Sequence, residues 1–198
     1  MATQPQQRLS PAQYLDLERQ ATGRSEFYDG EVFAMAGASE RHNLIVSNLV
    51  VCLGVQLRGR PCRVYANDLR LKVSATGLYT YPDVIALCSE PRFDDEQRDT
   101  LLNPDLIIEV LSESTEGYDR GEKFAHYRKL ESLTDYLLVA QQQPRVEHYT
   151  RQVGDHWLLA DAEGLDAVLD LPALGCRLPL AEVYAQIDFQ RASLHPLP

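Results

Sequence analysis

Apolar and polar positions along this chain switch between helical and strand spacing, and the switches divide it into elements. Ser10-Pro11-Ala12-Gln13 reads as a helix start, with a serine cap, proline at the first helical position and a glutamine placed to close a capping box. A short helix is predicted to about residue 19. Phe27-Tyr28-Asp29-Gly30-Glu31-Val32-Phe33 then centres an Asp-Gly pair between apolar and aromatic residues, which predicts a hairpin. Over 39–58, Leu44, Ile45, Asn48, Leu49, Cys52, Leu53 and Leu57 keep helical spacing, and Gly59 with Pro61 stops that helix.

Cys62, Val64 and Ala66 alternate in one phase, whereas Leu69, Leu71 and Val73 alternate in the other, so a β-bulge is predicted at Asn67-Asp68. A strand carrying Asp83 follows, then a polar loop over 89–103 and a strand over 106–111. Ser112-Glu113-Ser114-Thr115 offers hydroxyls to cap a helix over 117–130. Further strands are predicted over 136–140, 146–150 and 155–160, and the segment 165–187 mixes short strands with a brief helix. This order describes an α/β or α+β chain with a mixed sheet, and 198 residues suit a single domain. Its core is expected over about 39–151, with disorder confined to residues 1–8 and 192–198.

One position breaks the pattern. Leu106-Ile107-Ile108-Glu109-Val110-Leu111 is apolar on both faces of a strand except for a single carboxylate, and a buried carboxylate requires a partner. Tyr81-Pro82-Asp83-Val84-Ile85-Ala86-Leu87-Cys88 repeats the arrangement, with an acid at the start of an apolar run. Neighbouring strands would let Asp83 and Glu109 converge, and two close carboxylates are relieved by a divalent cation, Mg2+ or Mn2+. Lys123, on the following helix, could orient a water or stabilise charge on a phosphodiester under attack. Lys123 could equally pair with Asp119, four residues earlier on that helix.

Composition narrows the alternatives. Hydrophobic residues at 44% and charged residues at 24% fit a soluble globular protein. The net charge of -10 disfavours nonspecific attraction to a polyanion, yet bound cations can offset a cluster of acids in an enzyme that acts on nucleic acid. Arg58, Arg60 and Arg63 form one basic group and Lys123, Arg128 and Lys129 another, each read mainly as solvated surface. Cys52, Cys62, Cys88 and Cys176 lack paired ligand spacing, so neither zinc nor a disulfide framework is expected. No charged head with an apolar stretch opens the chain and no run approaches a membrane span, which makes the cytoplasm the expected location and excludes a membrane partner.

Pro82-Asp83, Glu109-Val110-Leu111 and Lys123 resemble the PD-(D/E)XK nuclease superfamily. A longer ordered set is similar to the Uma-two family of restriction endonucleases. It comprises Glu26-Phe27-Tyr28-Asp29-Gly30-Glu31 with Ala34-Met35-Ala36-Gly37, then Tyr81-Pro82-Asp83-Val84, Glu109-Val110-Leu111-Ser112, and Asp119-Arg120-Gly121-Glu122-Lys123 with Tyr127. The resemblance implies a restriction-endonuclease-like core of helix, three-stranded meander, helix and strand. It also implies a DNA substrate, Asp83 and Glu109 as metal ligands with Val110 beside them, and catalysis by Asp83, Glu109 and a lysine. Leu111 stands where the superfamily pattern has that lysine, so Lys123 looks like a migrated lysine and Lys72 is the competitor.

Glu40 and His42 at the start of the long helix, Glu31 after the hairpin turn and Asp68 at the predicted bulge are auxiliary site candidates. Tyr136, Tyr149 and Trp157 leave room for an interface, and a homodimer is expected, since cutting two strands calls for two active sites. A noncatalytic, dimeric nuclease-fold module is the competing function, favoured by the acidic net charge and by Leu111.

Overall fold

The computed structural model describes residues 8–189. The termini expected to be disordered lie outside them, apart from Arg8. Helix α1 (Pro11–Glu18) has the foreseen capping box at Ser10 and Gln13. Strands β1 (Ser25–Tyr28) and β2 (Glu31–Ala34) pair antiparallel around Asp29 and Gly30, both at positive φ (47 and 84°). A type I′ hairpin demands that conformation, and Asp-Gly supplies it at low cost. Helix α2 (Glu40–Leu57) is capped by the Ser39 hydroxyl and buries Ile45, Leu49, Leu53 and Leu57 along one face.

Strands β3 (Arg63–Ala66), β4 (Arg70–Val73), β5 (Leu78–Thr80) and β6 (Val84–Leu87) follow. A short β7 (Thr100–Leu101) precedes β8 (Leu106–Val110). One helical segment comes next: α3 (Glu116–Tyr118), a π-helical turn (Asp119–Lys123) and α4 (Phe124–Tyr127). The chain continues through β9 (Asp135–Val139), β10 (Arg145–Arg151), β11 (Trp157–Glu163), the pair β12 (Val168–Leu171) and β13 (Cys176–Pro179), and α5 (Leu180–Val183).

Among the described residues these strands form three sheets. The largest runs β11-β10-β9-β8-β6-β3, with only β8–β9 parallel, and a second runs β2-β1-β5-β4-β7. β3, β6 and β8 are antiparallel neighbours, which is the expected meander, with the β4–β5 hairpin inserted between its first two strands. The fold is the mixed α+β architecture that the element order implied. The apolar run of β8 is explained by burial on both faces. Leu106, Ile108 and Val110 pack with α2 and the β12–β13 pair, while Ile107 and Leu111 pack with Phe124, Tyr127 and Tyr136.

The phase slip at Asn67-Asp68 is not a bulge. β3 belongs to the six-stranded sheet and β4 to the five-stranded one, so the slip marks the chain crossing between sheets. A second crossing occurs over Tyr81-Pro82-Asp83, between β5 and β6, which leaves Asp83 at the seam just before its strand.

Two of the cysteines also depart from expectation. Cys62 and Cys88 form a disulfide, while Cys52 and Cys176 are free and buried. The 26-residue separation hides the pairing, but the register Arg63↔Leu87 sets the next pair outward, 62 and 88, opposite each other. Closing such a loop stabilises a fold by about 3 kcal/mol. Reduction should therefore lower the melting temperature by several degrees, measured by thermal unfolding with and without dithiothreitol.

Of the three aromatics expected to leave room for an interface, Tyr136 is withdrawn into the core, while Tyr149 and Trp157 are only partly buried. All three pack around Phe124, and Tyr136 is fully buried. Helix α1 is tied to the connection before β7 by Arg19, which meets Asp95 at 2.6 Å and Asp99 at 2.8 Å, while buried Arg70 reaches Asp99 at 3.1 Å. The Arg19 hydrogen bond, aided by Arg70 and opposed by burial, lowers the Asp99 carboxyl to about 2. A depressed acid stabilises the fold above its unfolded value near 4, and that contribution is lost as pH falls toward 2. Asp99→Asn should flatten this small acid limb, read as melting temperature between pH 5 and 2.

Candidate active site

β6 and β8 run antiparallel with Val84 opposite Ile108, so the residue before β6 meets the residues after Ile108. That register brings Asp83 to Glu109 and Val110. The Val110 amide donates to Asp83 Oδ2 at 2.8 Å, His42 Nε2 lies 3.1 Å from the same oxygen, and the Asp83 amide faces Glu109 Oε2 at 3.4 Å. Glu109 Oε1 accepts from the Tyr127 hydroxyl at 2.7 Å and lies 3.0 Å from Lys123 Nζ. Each acid therefore has one oxygen anchored by two donors. The Asp83 side chain is 17% exposed and that of Glu109 5%, so Asp83 is the solvent side of the pair.

Lys123 is carried by the π turn, a wide turn often found at functional sites. The turn buries both Asp119 and Lys123. Nζ lies 3.6 Å from Asp119 Oδ1 and 3.3 Å from Glu26 Oε1. Glu26 arrives from the hairpin: Phe27 pairs with Tyr79, so Glu26 falls beside Thr80, whose hydroxyl donates to Oε1. Tyr79 and Lys72 share the opposite face of that sheet. There Lys72 meets Asp94 at 2.7 Å, which takes it away from the acid pair. Leu111, in the usual lysine position, is buried in the apolar cluster with Phe124 and Tyr127.

Burial dominates the electrostatics of this group. It raises the Glu109 carboxyl to about 8, with Asp119 and Asp83 adding to the rise and Lys123 and the Tyr127 hydrogen bond opposing it. Burial likewise raises Asp119. Burial pulls the Lys123 ammonium down, but Glu109, Glu26 and Asp119 outweigh it and hold the ammonium well above the usual lysine value.

The structure brings Asp83, Glu109, Val110 and Lys123 together, with His42 directly behind Asp83. It does not bring Glu31, Glu40 or Asp68 to them. Glu31 is exposed and 3.8 Å from Arg8, Glu40 is exposed on the first turn of α2, and exposed Asp68 pairs with Arg24 at 3.3 Å. Glu26, Thr80, Asp119 and Tyr127 complete the site without having been read from spacing as site residues. Glu26, Asp119 and Tyr127 stand in the motifs of family resemblance, and Asp119 also as a helix partner of Lys123. Of the basic groups read as surface, Lys123 is buried, whereas Arg58, Arg60, Arg63, Arg128 and Lys129 are exposed.

The donor set suits a hard divalent cation. The carboxylates of Asp83 and Glu109 come from neighbouring positions of the β6–β8 register, each anchored through one oxygen, and an all-oxygen set is what magnesium or manganese prefers. Because a strand residue directs its amide and carbonyl to the same edge, the Val110 carbonyl lies on the Asp83 side as well. His42 and the Val110 amide orient the Asp83 carboxylate, as the supporting layer around a metal ligand would.

This fold, with one acid on β8 and the other immediately before the neighbouring β6, defines a restriction-endonuclease-like architecture. The structure superposes with a TM-score of 0.70 on one from Anabaena variabilis ATCC 29413 described as a "putative nuclease belonging to DUF820", at 18% identity over 88% of this chain and 96% of that one. The chain belongs to the Uma2 family, whose model, described as "Putative restriction endonuclease", matches residues 11–181. Two relatives from Synechocystis sp. (strain ATCC 27184 / PCC 6803 / Kazusa) are similar over most of their length. Uncharacterized protein sll1609 is 42% identical over 163 residues, 82% of this chain and 92% of its own. Uncharacterized protein slr1290 is 34% identical over 185 residues, 93% and 96% respectively.

Proposed function

We propose that this protein is a divalent-metal-dependent endonuclease that hydrolyses DNA phosphodiester bonds. The observation that carries the proposal is the β6–β8 register, which sets Asp83 against Glu109 with the Lys123 ammonium 3.0 Å from the latter. Asp83, Glu109 and the Val110 carbonyl would hold Mg2+ or Mn2+. Such an ion, when bound, lowers the pKa of a coordinated water and offsets charge on the phosphate. His42 and the Val110 amide fix the Asp83 carboxylate, Tyr127 fixes Glu109, and Lys123 presents a preorganised positive charge to the phosphate. On this reading the protein acts in the cytoplasm. No helix among the described residues is long and apolar enough to cross a membrane.

Calorimetric titration of magnesium and manganese provides the test. Binding should be present in the native chain and lost in Asp83→Asn; undiminished binding by that variant would remove the proposed site. The net charge of -10 favours a second reading, a nuclease-fold binding module without catalysis. Metal binding without cleavage of any strand in a mixed DNA panel would select it.

Both readings include a homodimer. On α2, Val51 and Val55 are 64% and 60% exposed and supply an apolar surface for it. Size-exclusion chromatography with light scattering should give twice the chain mass of 22.4 kDa, and a monomer would remove the dimer.

A further inference from the structure

Lys123 is surrounded by acids from three separate elements. Glu109 comes from β8, Glu26 from β1 and Asp119 from the π turn, and their oxygens lie 3.0, 3.3 and 3.6 Å from Nζ. The ammonium is therefore ion-paired with a carboxylate from each of these elements. Three ionised carboxylates buried around one point need a positive charge there. Thr80 holds Glu26 to this duty, since its hydroxyl donates to the same Glu26 oxygen that faces the lysine. Among the described residues no three His, Cys, Asp or Glu side chains are grouped to hold a metal ion. The ammonium stands where the oxygens of Glu26, Glu109 and Asp119 would otherwise converge.

Resting on the nuclease reading, we propose that Glu26 and Asp119 are positioning residues that hold the Lys123 ammonium as a built-in second cation, so that the site takes a single divalent ion. Glu109 joins the two positive centres. Its Oε1 faces the ammonium and its Oε2 lies on the Asp83 side. The N-terminal hairpin thereby becomes part of the site, because Glu26 fixes a charge that a two-ion nuclease would draw from solution. A tethered ammonium has the further consequence that this centre stays filled whatever the metal concentration.

Counting ions tests this directly. Mn2+ titrated into the full chain by calorimetry should give one ion per chain in the wild type and in Glu26→Gln, which keeps an acceptor for Thr80. In Lys123→Ala, a second ion should enter the vacated cage and the count should rise to two. Glu26→Gln should lower kcat by roughly 10- to 100-fold, the usual effect of a supporting residue, with KM and manganese affinity unchanged. Asp119→Asn should behave as Glu26→Gln does, and provides the same comparison if one variant fails to fold by circular dichroism.

Two ions in the wild type, one ion in folded Lys123→Ala, or wild-type kcat in Glu26→Gln would each overturn the inference. Failure of the underlying reading looks different. In that case Asp83→Asn keeps the wild-type ion, or the wild type binds none.

Discussion

Conversion of Glu109 to alanine is expected to abolish metal-dependent DNA cleavage, with a loss of about 100-fold or more, since truncating even one preorganised donor in an enzyme site costs 10²–10³. The variant removes a carboxylate from between Asp83 and Lys123 and deprives the Tyr127 hydroxyl of its acceptor. An unsatisfied buried hydroxyl costs about 1–3 kcal/mol, which a fold of this size survives. Circular dichroism should therefore show a folded, inactive protein. Glu109→Gln separates the two effects, because it retains an acceptor for Tyr127 but not the charge, and it should be as inactive and more stable. Cleavage by Glu109→Ala at the wild-type rate would sink the assignment of this site.

Replacement of Lys123 by alanine should give the largest loss of stability. Removing one partner of a buried ion pair costs about 3–5 kcal/mol, because the remaining charge keeps its desolvation penalty. Here three carboxylates would remain, from Glu26, Glu109 and Asp119. At 2–4 °C per kcal/mol for a chain of this length, the melting temperature in EDTA should fall by roughly 10 °C. Manganese should restore much of it by entering the vacated space. An unchanged melting temperature would mean that the three acids already shed their charge without the lysine, and the electrostatic account of the cage would fail.

Much of the fold was legible because it depends on local rules. Ser10 with Gln13, and Asp29 with Gly30, specify a helix start and a hairpin through contacts within a few residues. The helical spacing of α2 and the apolar run of β8 follow from burial, whichever partners bury them. The misread features are all consequences of pairing at long range. The phase slip at Asn67-Asp68 looks the same in sequence whether the strand bulges or the chain changes sheet. Cys62 and Cys88 become neighbours only through the β3–β6 register. Tyr136, Tyr149 and Trp157 are apolar in either setting, and only packing around Phe124 buries Tyr136 fully and the other two in part.

The site divides in the same way. Asp83 and Glu109 could be named from sequence because a lone carboxylate in an apolar run is costly, and that cost is local and visible. Lys123 could be listed beside Lys72, but strand alternation had to be combined with sheet pairing to turn Lys72 toward Asp94 and leave Lys123 with the acids. Glu26 lies 83 residues before Glu109 and 97 before Lys123, and it meets Lys123 only because the hairpin pairs with β5. By itself, then, the sequence determined the elements, the two acids that had to be partnered and the family. The tertiary structure alone decided the partners, since a buried charge requires compensation but does not say from which strand it comes.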